Sequence, residues 1–422
     1  MTMRISVLRR LALLLLSVVA FSKSTDTTAT DTTAEDEDFD LPRIVKLGNG
    51  VLHWVVEQGG MFHPSLYFAA PEGSLVMFAK EAISKDEILF AVPRVCLLSS
   101  GIDSGALDDY FSYVCETTTV LWRELQKGQD SVTHGPYMEY LLETQPPGML
   151  PSAWSKAGQT LLKKMLSTPD NEQVLPPEAV CGHSFARECG INVDEPDGDA
   201  RVWAQEHAWM LITQRSWDDL MIPIYDMISH RNGNWTNTKL VEGVSVHDED
   251  HDIIVQASRD INAGEEIYTT YNFCEDCGAR AETFGTSLIF RDYGFVEQYP
   301  QRWIFGEIVF DLDYKDDNPN ELQVSWVFDS PSHDVIAFFD EQLDRLQEFA
   351  TVELESQPED IPDLEWSNIN IYHQALINAM SHALAATCSP EDGRCFISHR
   401  YDSFLPKPVS LEYADYTCDH GT

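Results

Sequence analysis

The stretch SRDINAGEEIYTTYN, Ser258–Asn272, decides how the rest of this 422-residue chain is read. It passes a glycine turn at Gly264, becomes apolar at Ile267 and closes on Tyr271. Downstream stands DYGF, Asp292–Phe295. Upstream lie IPIYDMISHRNGN, Ile222–Asn234, and GSLVMFAKEAISKDEILFAVP, Gly73–Pro93. The last of these reads as a glycine turn, a strand, a charged turn and a second strand ending in Val-Pro.

Around these segments the chain is ordinary in all but charge. Apolar residues make up 43% and charged residues 23%, which excludes collagen-like, coiled-coil and wholly disordered chains. There are 28 basic and 69 acidic residues, a net charge of −41. That balance argues against nucleic acid as a partner, because phosphates are neutralised by Lys and Arg. It favours cationic partners such as Lys-rich protein segments, drawn in by long-range attraction.

Residues 44–100 alternate apolar and polar positions and read as short strands, with turns at Gly59-Gly60 and Pro71–Gly73. Asp108–Lys127, Trp154–Leu166 and Trp203–Trp217 carry helical periodicity. Strand-like segments return at Ile222–Tyr225, Lys239–His247 and Ile253–Ser258. Farther on, Ile336, Phe339, Leu343, Leu346 and Ala350 mark a helix with a start signal at Pro331-Ser332. A second helix is expected over Ser367–Thr387.

The first 22 residues join a basic start (Arg4, Arg9, Arg10) to an apolar run, Leu11–Phe21. That run is too short to cross a bilayer and reads as a secretory signal, so the mature form is expected to hold no membrane segment. Residues 23–43 read as a disordered, acidic, Thr-rich spacer. Its acidity disfavours a plastid presequence, the minor alternative to the ER/Golgi lumen or secretion. Nine cysteines suit an oxidising compartment, with their pairing open. Asn234-Trp235-Thr236 is an N-glycan acceptor.

In order and spacing, the quoted segments resemble the SET-domain protein methyltransferases, in the branch of the Rubisco large-subunit lysine methyltransferase. PYMEYLL…PSAW (Pro136–Trp154) and Arg215-Ser216-Trp217 support the resemblance, which covers about Gly59–Val296. It implies an α+β SET-type fold of short sheets with a pseudoknot. That fold would span residues 44–297, with inserted helices at about 101–220 and a smaller, mostly helical region at 298–422. It implies S-adenosyl-L-methionine (AdoMet) as cofactor and a protein substrate, here a basic Lys-containing segment of a non-histone protein. Tyr271 would govern methyl transfer. Gly73, Ser74, Leu75, Arg215, Ser229, His230 and Tyr271 would hold the cofactor, and Asp226 and Phe295 would lie near the substrate.

Two positions depart from the family pattern. Its second turn glycine is absent, since Ser74, Leu75 and Val76 follow Gly73. Ser229 stands for Asn and cannot offer both an amide donor and a carbonyl acceptor, a loss on the order of 1 kcal/mol. These departures leave open an inactive SET-fold binding protein of the secretory pathway, and methyl transfer to another side chain such as His is a third reading. No metal site is expected. Cys274-x-x-Cys277 lacks the cysteine beside His230 that four-ligand zinc would need, and an EF-hand fails at Val193 and Ala204. HExxH, GxSxG and P-loop motifs are absent.

Overall fold

The computed structural model describes residues 41–387, apart from 72, 102–109, 179–187, 190–199, 218–219, 242–250, 273–283, 316–317, 329–330 and 333–335. The expected signal, nearly all of the spacer, and Cys181, Cys274, Cys277, Cys388, Cys395 and Cys418 therefore lie outside the described residues. In chain order the elements begin α1 (Arg43–Glu57), β1 (Met61–Phe62), β2 (Leu66–Ala69), β3 (Val76–Ala79), β4 (Ile88–Val92), α2 (Tyr110–Lys127), α3 (Gly135–Thr144) and α4 (Lys156–Leu166). Next come α5 (Ala200–Arg215), β5 (Ser216–Trp217), β6 (Leu220–Met221), β7 (Ser229–His230), β8 (Thr238–Leu240), β9 (Ile253–Ala257) and β10 (Tyr268–Thr269). The last are α6 (Thr286–Tyr293), β11 (Gln301–Phe305), β12 (Ile308–Lys315), β13 (Asn318–Trp326), α7 (Phe338–Glu353) and α8 (Asp363–Thr387).

The opening helix corrects the strand reading of residues 44–57. Ile44, Val45, Val51, Val55 and Val56 favour extended backbone locally. The buried positions Val45, Gly48, Val51 and Val55 nevertheless recur every three or four residues, and burial of that face decides for helix. Arg43, expected in the spacer, lies in this helix and pairs with Glu139 and Glu143 of α3 at 2.7 and 2.6 Å. Gly48 lets the Leu75 side chain lie close to the helix: an added Cβ would meet Leu75 Cδ2 at 2.8 Å, and that side chain would have to shift.

Ile222–Tyr225 is likewise not a strand. Pro223 has no N–H to give a ladder, and Ile224 takes left-handed backbone at φ +72°, rare and strained for a β-branched residue. The chain turns there, and a short 3₁₀ turn follows at Tyr225–Met227. The expected starts of the first two central helices hold to within a few residues, and Trp217 leaves the third for β5. α7 begins at Phe338, and the stretch that follows the expected start at Pro331-Ser332, residues 333–335, lies outside the described residues.

Short sheets carry the centre. β1, β4, β9 and β8 form one antiparallel sheet, with Phe90 opposite Val255 and Thr238 opposite Ala257. β2 pairs with β3, and β5 with β6. The GEEI segment runs beside β3: Gly264 N–H donates to Ala79 O (2.7 Å), Ala79 N–H to Glu265 O (2.9 Å) and Ile267 N–H to Met77 O (2.8 Å). β10 then lies parallel to β7, with Tyr268 opposite Ser229 and Thr269 opposite His230. Three distant segments of sequence are thus laced into one backbone network.

The described residues from Pro42 on form one unit with two apolar clusters. The first includes Val51, Phe90, Leu98, Leu121, Tyr137 and Met221. The second gathers Leu162, Phe290, Trp303, Phe310, Phe339 and Tyr372, so α4 from the inserted segment belongs with the C-terminal helices. The C-terminal part contains an unforeseen antiparallel sheet, β11–β12–β13, ahead of its two helices. In the five-residue β11, Gln301, Trp303 and Phe305 are buried and alternate with half-buried Arg302 and Ile304, a signal too short to stand out in sequence. Cys115 of α2 is disulfide-bonded to Cys189, their Cα atoms 5.6 Å apart, which resolves the pairing of Cys189.

Candidate active site

The β7–β10 pairing brings two motifs into contact, and hydrogen bonds fix what surrounds it. Arg231 N–H donates to Thr269 O (3.0 Å). Buried Asn237 holds Tyr268 on both sides, accepting from its N–H (2.8 Å) and donating to its carbonyl (3.1 Å). Tyr271 follows at once. Its N–H donates to His230 Nδ1 (3.0 Å), and its hydroxyl donates to Ile228 O (2.6 Å). Its ring stacks on both His230 and Tyr293, each with centroids 4.8 Å apart, and meets Phe295 edge-on at 6.5 Å. Burial pushes the Tyr271 hydroxyl well above its ordinary value, so it is un-ionised and an obligate donor at neutral pH.

Arg215 closes α5, and Asp226 stands in the 3₁₀ turn after the strained Ile224. Arg215 Nη1 donates to Asp226 O (2.8 Å) and Oδ2 (3.1 Å), and Tyr137 OH donates to the same Oδ2 (2.7 Å). The side chains of Arg215 and Asp226 are 13% and 1% exposed. Burial raises the carboxyl of Asp226. For Arg215, burial opposes the charge, but the oxygens of Tyr140, Asp226, Tyr137 and Tyr271 outweigh it and keep the guanidinium charged. Arg215 Nε, Asp226 Oδ1 and Asn272 Nδ2 are buried without a hydrogen-bond partner. Tyr225, ring to ring with Trp217 at 5.3 Å, meets Thr269 Oγ1 through its hydroxyl (3.0 Å) and is pushed up to about 12 by burial.

The structure therefore gathers Arg215, Asp226, Ser229, His230, Tyr271 and Phe295. Gly73, Ser74 and Leu75 lead into β3, whose backbone pairs with the Gly264–Ile267 segment ahead of Tyr271. Gly73 has φ +84° and open space where a Cβ would sit, Ser74 is exposed, and Leu75 turns its side chain onto Gly48. Asp226 is buried under Arg215 and Tyr137, where it fixes the guanidinium instead of presenting a charge at the surface.

Sequence reasoning missed Tyr137, Tyr225, Asn232, Tyr293 and Glu297. Tyr137, Tyr225, Asn232 and Tyr293 stand within the quoted motifs and Glu297 two residues past Phe295, the signal that could have found them. Glu297 accepts from His230 Nε2 at 2.6 Å. Both nitrogens of His230 are thus engaged, so it is a joint and not a free base. Chemically the arrangement offers aromatic faces, a fixed hydroxyl and a buried guanidinium–carboxylate pair. An ammonium or sulfonium is favoured against such faces. Among the described residues there is no His/Cys/Asp/Glu group suited to a metal, and no helix is long and apolar enough to cross a membrane.

Residues 74–272 match the SET domain family model. A search of curated proteins finds no match. Among solved structures, the SET domain of LSMT bound to lysine and AdoHcy is 13% identical, with TM-score 0.44, covering 81% of this chain and 92% of that one. Rubisco LSMT bound to AdoMet is 13% identical, with TM-score 0.44, covering 82% and 93%. At that identity and score the assignment rests on the family model and the folded segments. Residues 74–272 form a SET domain, and the α+β fold that holds them is built from short sheets and inserted helices.

Proposed function

We propose that this protein is an AdoMet-dependent protein-lysine N-methyltransferase of the Rubisco LSMT type, acting on a basic segment of a non-histone protein. One observation carries the reading: within the SET segment, the un-ionised Tyr271 hydroxyl is fixed on Ile228 O while its ring is stacked on His230 and Tyr293.

The residues present fit the cofactor. Arg215 Nε and Asn272 Nδ2 are buried donors without partners, Asp226 Oδ1 is an acceptor in the same condition, and Leu75 leaves the Gly73 turn clear. Gly73, Ser74, Leu75, Arg215, Ser229, His230 and Tyr271 would hold it. AdoMet supplies an electrophilic methyl group, transferred by in-line displacement to an amine. A lysine of ordinary pKa is only roughly 0.04% neutral at pH 7, and only the neutral amine attacks. Tyr271, Tyr293 and Phe295 exclude water around that amine and favour its neutral form. The amine's proton leaves to solvent, and the Tyr271 hydroxyl orients the lone pair. Asp226 holds Arg215 in place and excludes a second free charge.

The protein works in the secretory pathway. What supports this is the signal-like first 22 residues and the Cys115–Cys189 bond, which suits an oxidising lumen. Asn234 is exposed on the turn after His230 and is the glycan acceptor there. Ser229 in place of Asn favours a second reading, a SET-fold binding protein without activity.

The test is incubation of the full-length protein with tritiated AdoMet and lumenal protein, followed by acid hydrolysis. Label in methyl-lysine, reduced about 10²–10³-fold by Tyr271→Phe, supports the proposal. Label in methyl-histidine transfers it to the other side chain. No label with folded protein favours the binding protein.

A further inference from the structure

Glu297 is a buried carboxylate that Tyr271 does not touch, yet every donor it collects leads back toward that residue. Its side chain is 0% exposed, as is that of His230. Oε2 accepts from His230 Nε2 (2.6 Å) and Asn232 Nδ2 (2.8 Å), and Oε1 accepts from Thr286 Oγ1 (2.5 Å). The carbonyl of Glu297 accepts from Gln301 Nε2 (2.7 Å).

Two routes then run to the transfer tyrosine. In the first, His230 Nδ1 accepts from the Tyr271 backbone N–H. A backbone N–H can only donate, so Nδ1 is bare and the ring hydrogen sits on Nε2, aimed at Glu297. In the second, Asn232 Oδ1 accepts from Thr270 Oγ1 (2.9 Å), the residue before Tyr271. Thr286, the third donor, opens α6, the helix that ends in Tyr293. One carboxylate thus ties β7 and its extension, residues 270–271 and the start of α6 together.

Stability alone does not account for an ionisable group here. A buried carboxylate loses its hydration, and packed apolar residues of similar volume often do as well or better. What a carboxylate adds is a fixed set of acceptors. It holds the His230 ring hydrogen on one nitrogen and keeps the ring flat against Tyr271.

We propose that Glu297 is a positioning residue that acts through His230 and Asn232 to hold the Tyr271 hydroxyl in register for transfer. This rests on the reading of Tyr271 as the residue that governs methyl transfer. The conservative change Glu297→Gln keeps the acceptors for His230 and Asn232, because an amide oxygen replaces Oε2 and its nitrogen donates to Thr286 Oγ1. Glu297→Leu removes them all and strands a buried Nε2–H.

The experiment has two arms on the full-length protein. The first is nitrogen-15 NMR of the His230 ring, without AdoMet or substrate, assigned by His230→Gln. The expected spectrum shows a protonated Nε2 and a bare Nδ1 in the wild type and in Glu297→Gln, and mixed or shifted signals in Glu297→Leu. The second is methyl transfer at saturating AdoMet. Glu297→Leu should lower kcat about 30-fold, within the ~10²-fold that an ångström of misplacement costs, with a smaller change in the KM for AdoMet. Glu297→Gln should restore most of that loss.

A protonated Nδ1 in the wild type overturns the proposal, whether or not Glu297→Leu folds. So does a Glu297→Leu variant with wild-type ring signals and kcat, or a Glu297→Gln variant as impaired as the leucine. Wild-type protein that transfers no methyl refutes the methyltransferase reading instead, and the spectra then decide the clamp by themselves.

Discussion

Gly294 joins Tyr293 to Phe295, and it has almost no room. Its backbone is left-handed, φ +82°, and an added Cβ would lie 2.5 Å from the Met149 carbonyl oxygen. That oxygen belongs to backbone beside buried Leu150, so it cannot swing aside as a flexible side chain would. Gly264 provides the comparison, with φ +83° and nothing within 4 Å of its Cβ position. Gly264→Ala should cost only the strain of left-handed backbone, about 1 kcal/mol. Gly294→Ala adds a backbone clash of the kind that overpacking costs at about 1–3 kcal/mol, for a total of about 2–4 kcal/mol. Urea unfolding followed by tryptophan fluorescence measures both. The second effect is local: Tyr293 stacks 4.8 Å from Tyr271, so Gly294→Ala should also weaken methyl transfer while Gly264→Ala does not share that cause. Equal costs for the two alanines, within about 0.5 kcal/mol, would refute the close approach.

Three further outcomes are expected. Tyr372→Phe removes a hydroxyl that donates to Pro176 O (2.7 Å) and lies 2.9 Å from Ser287 Oγ, and should cost about 1–3 kcal/mol in the same unfolding assay. Cys115→Ser opens a crosslink spanning 74 residues and should destabilise by roughly 4 kcal/mol, read as a lower urea midpoint that matches reduction of the wild type. Burial raises Tyr225 to about 12 against about 10 unfolded, so the folded state holds that proton longer. Its contribution is complete below pH 10 and is lost as pH rises through about 12, so unfolding midpoints should fall between those values and fall less in Tyr225→Phe.

The candidate site was legible in sequence where chemistry demands a residue type at a fixed place. Tyr271, His230 and Arg215 stand in short motifs, and the fold brings them within one cluster. Their supports were not legible, because those depend on partners far along the chain. Tyr137 lies 89 residues from Asp226, and Glu297 lies 67 from His230. For α1 the local preference of five β-branched residues pointed to strand, and burial of Val45, Gly48, Val51 and Val55 overrode it. Ile222–Tyr225 looked extended by composition, but Pro223 and the left-handed Ile224 turn it so that Asp226 meets Arg215. The Gly73 motif lacks its second glycine, and sequence alone could not say where Leu75 points; Gly48 of α1 answers it.

Calorimetric titration of AdoMet into the full-length protein, with Ser229→Asn beside it, decides whether the Tyr271 site takes its cofactor. Saturable binding at micromolar affinity is expected, tightened several-fold by the added amide, in keeping with about 1 kcal/mol for a gained hydrogen bond. Folded protein that takes up no AdoMet at millimolar concentration would contradict it.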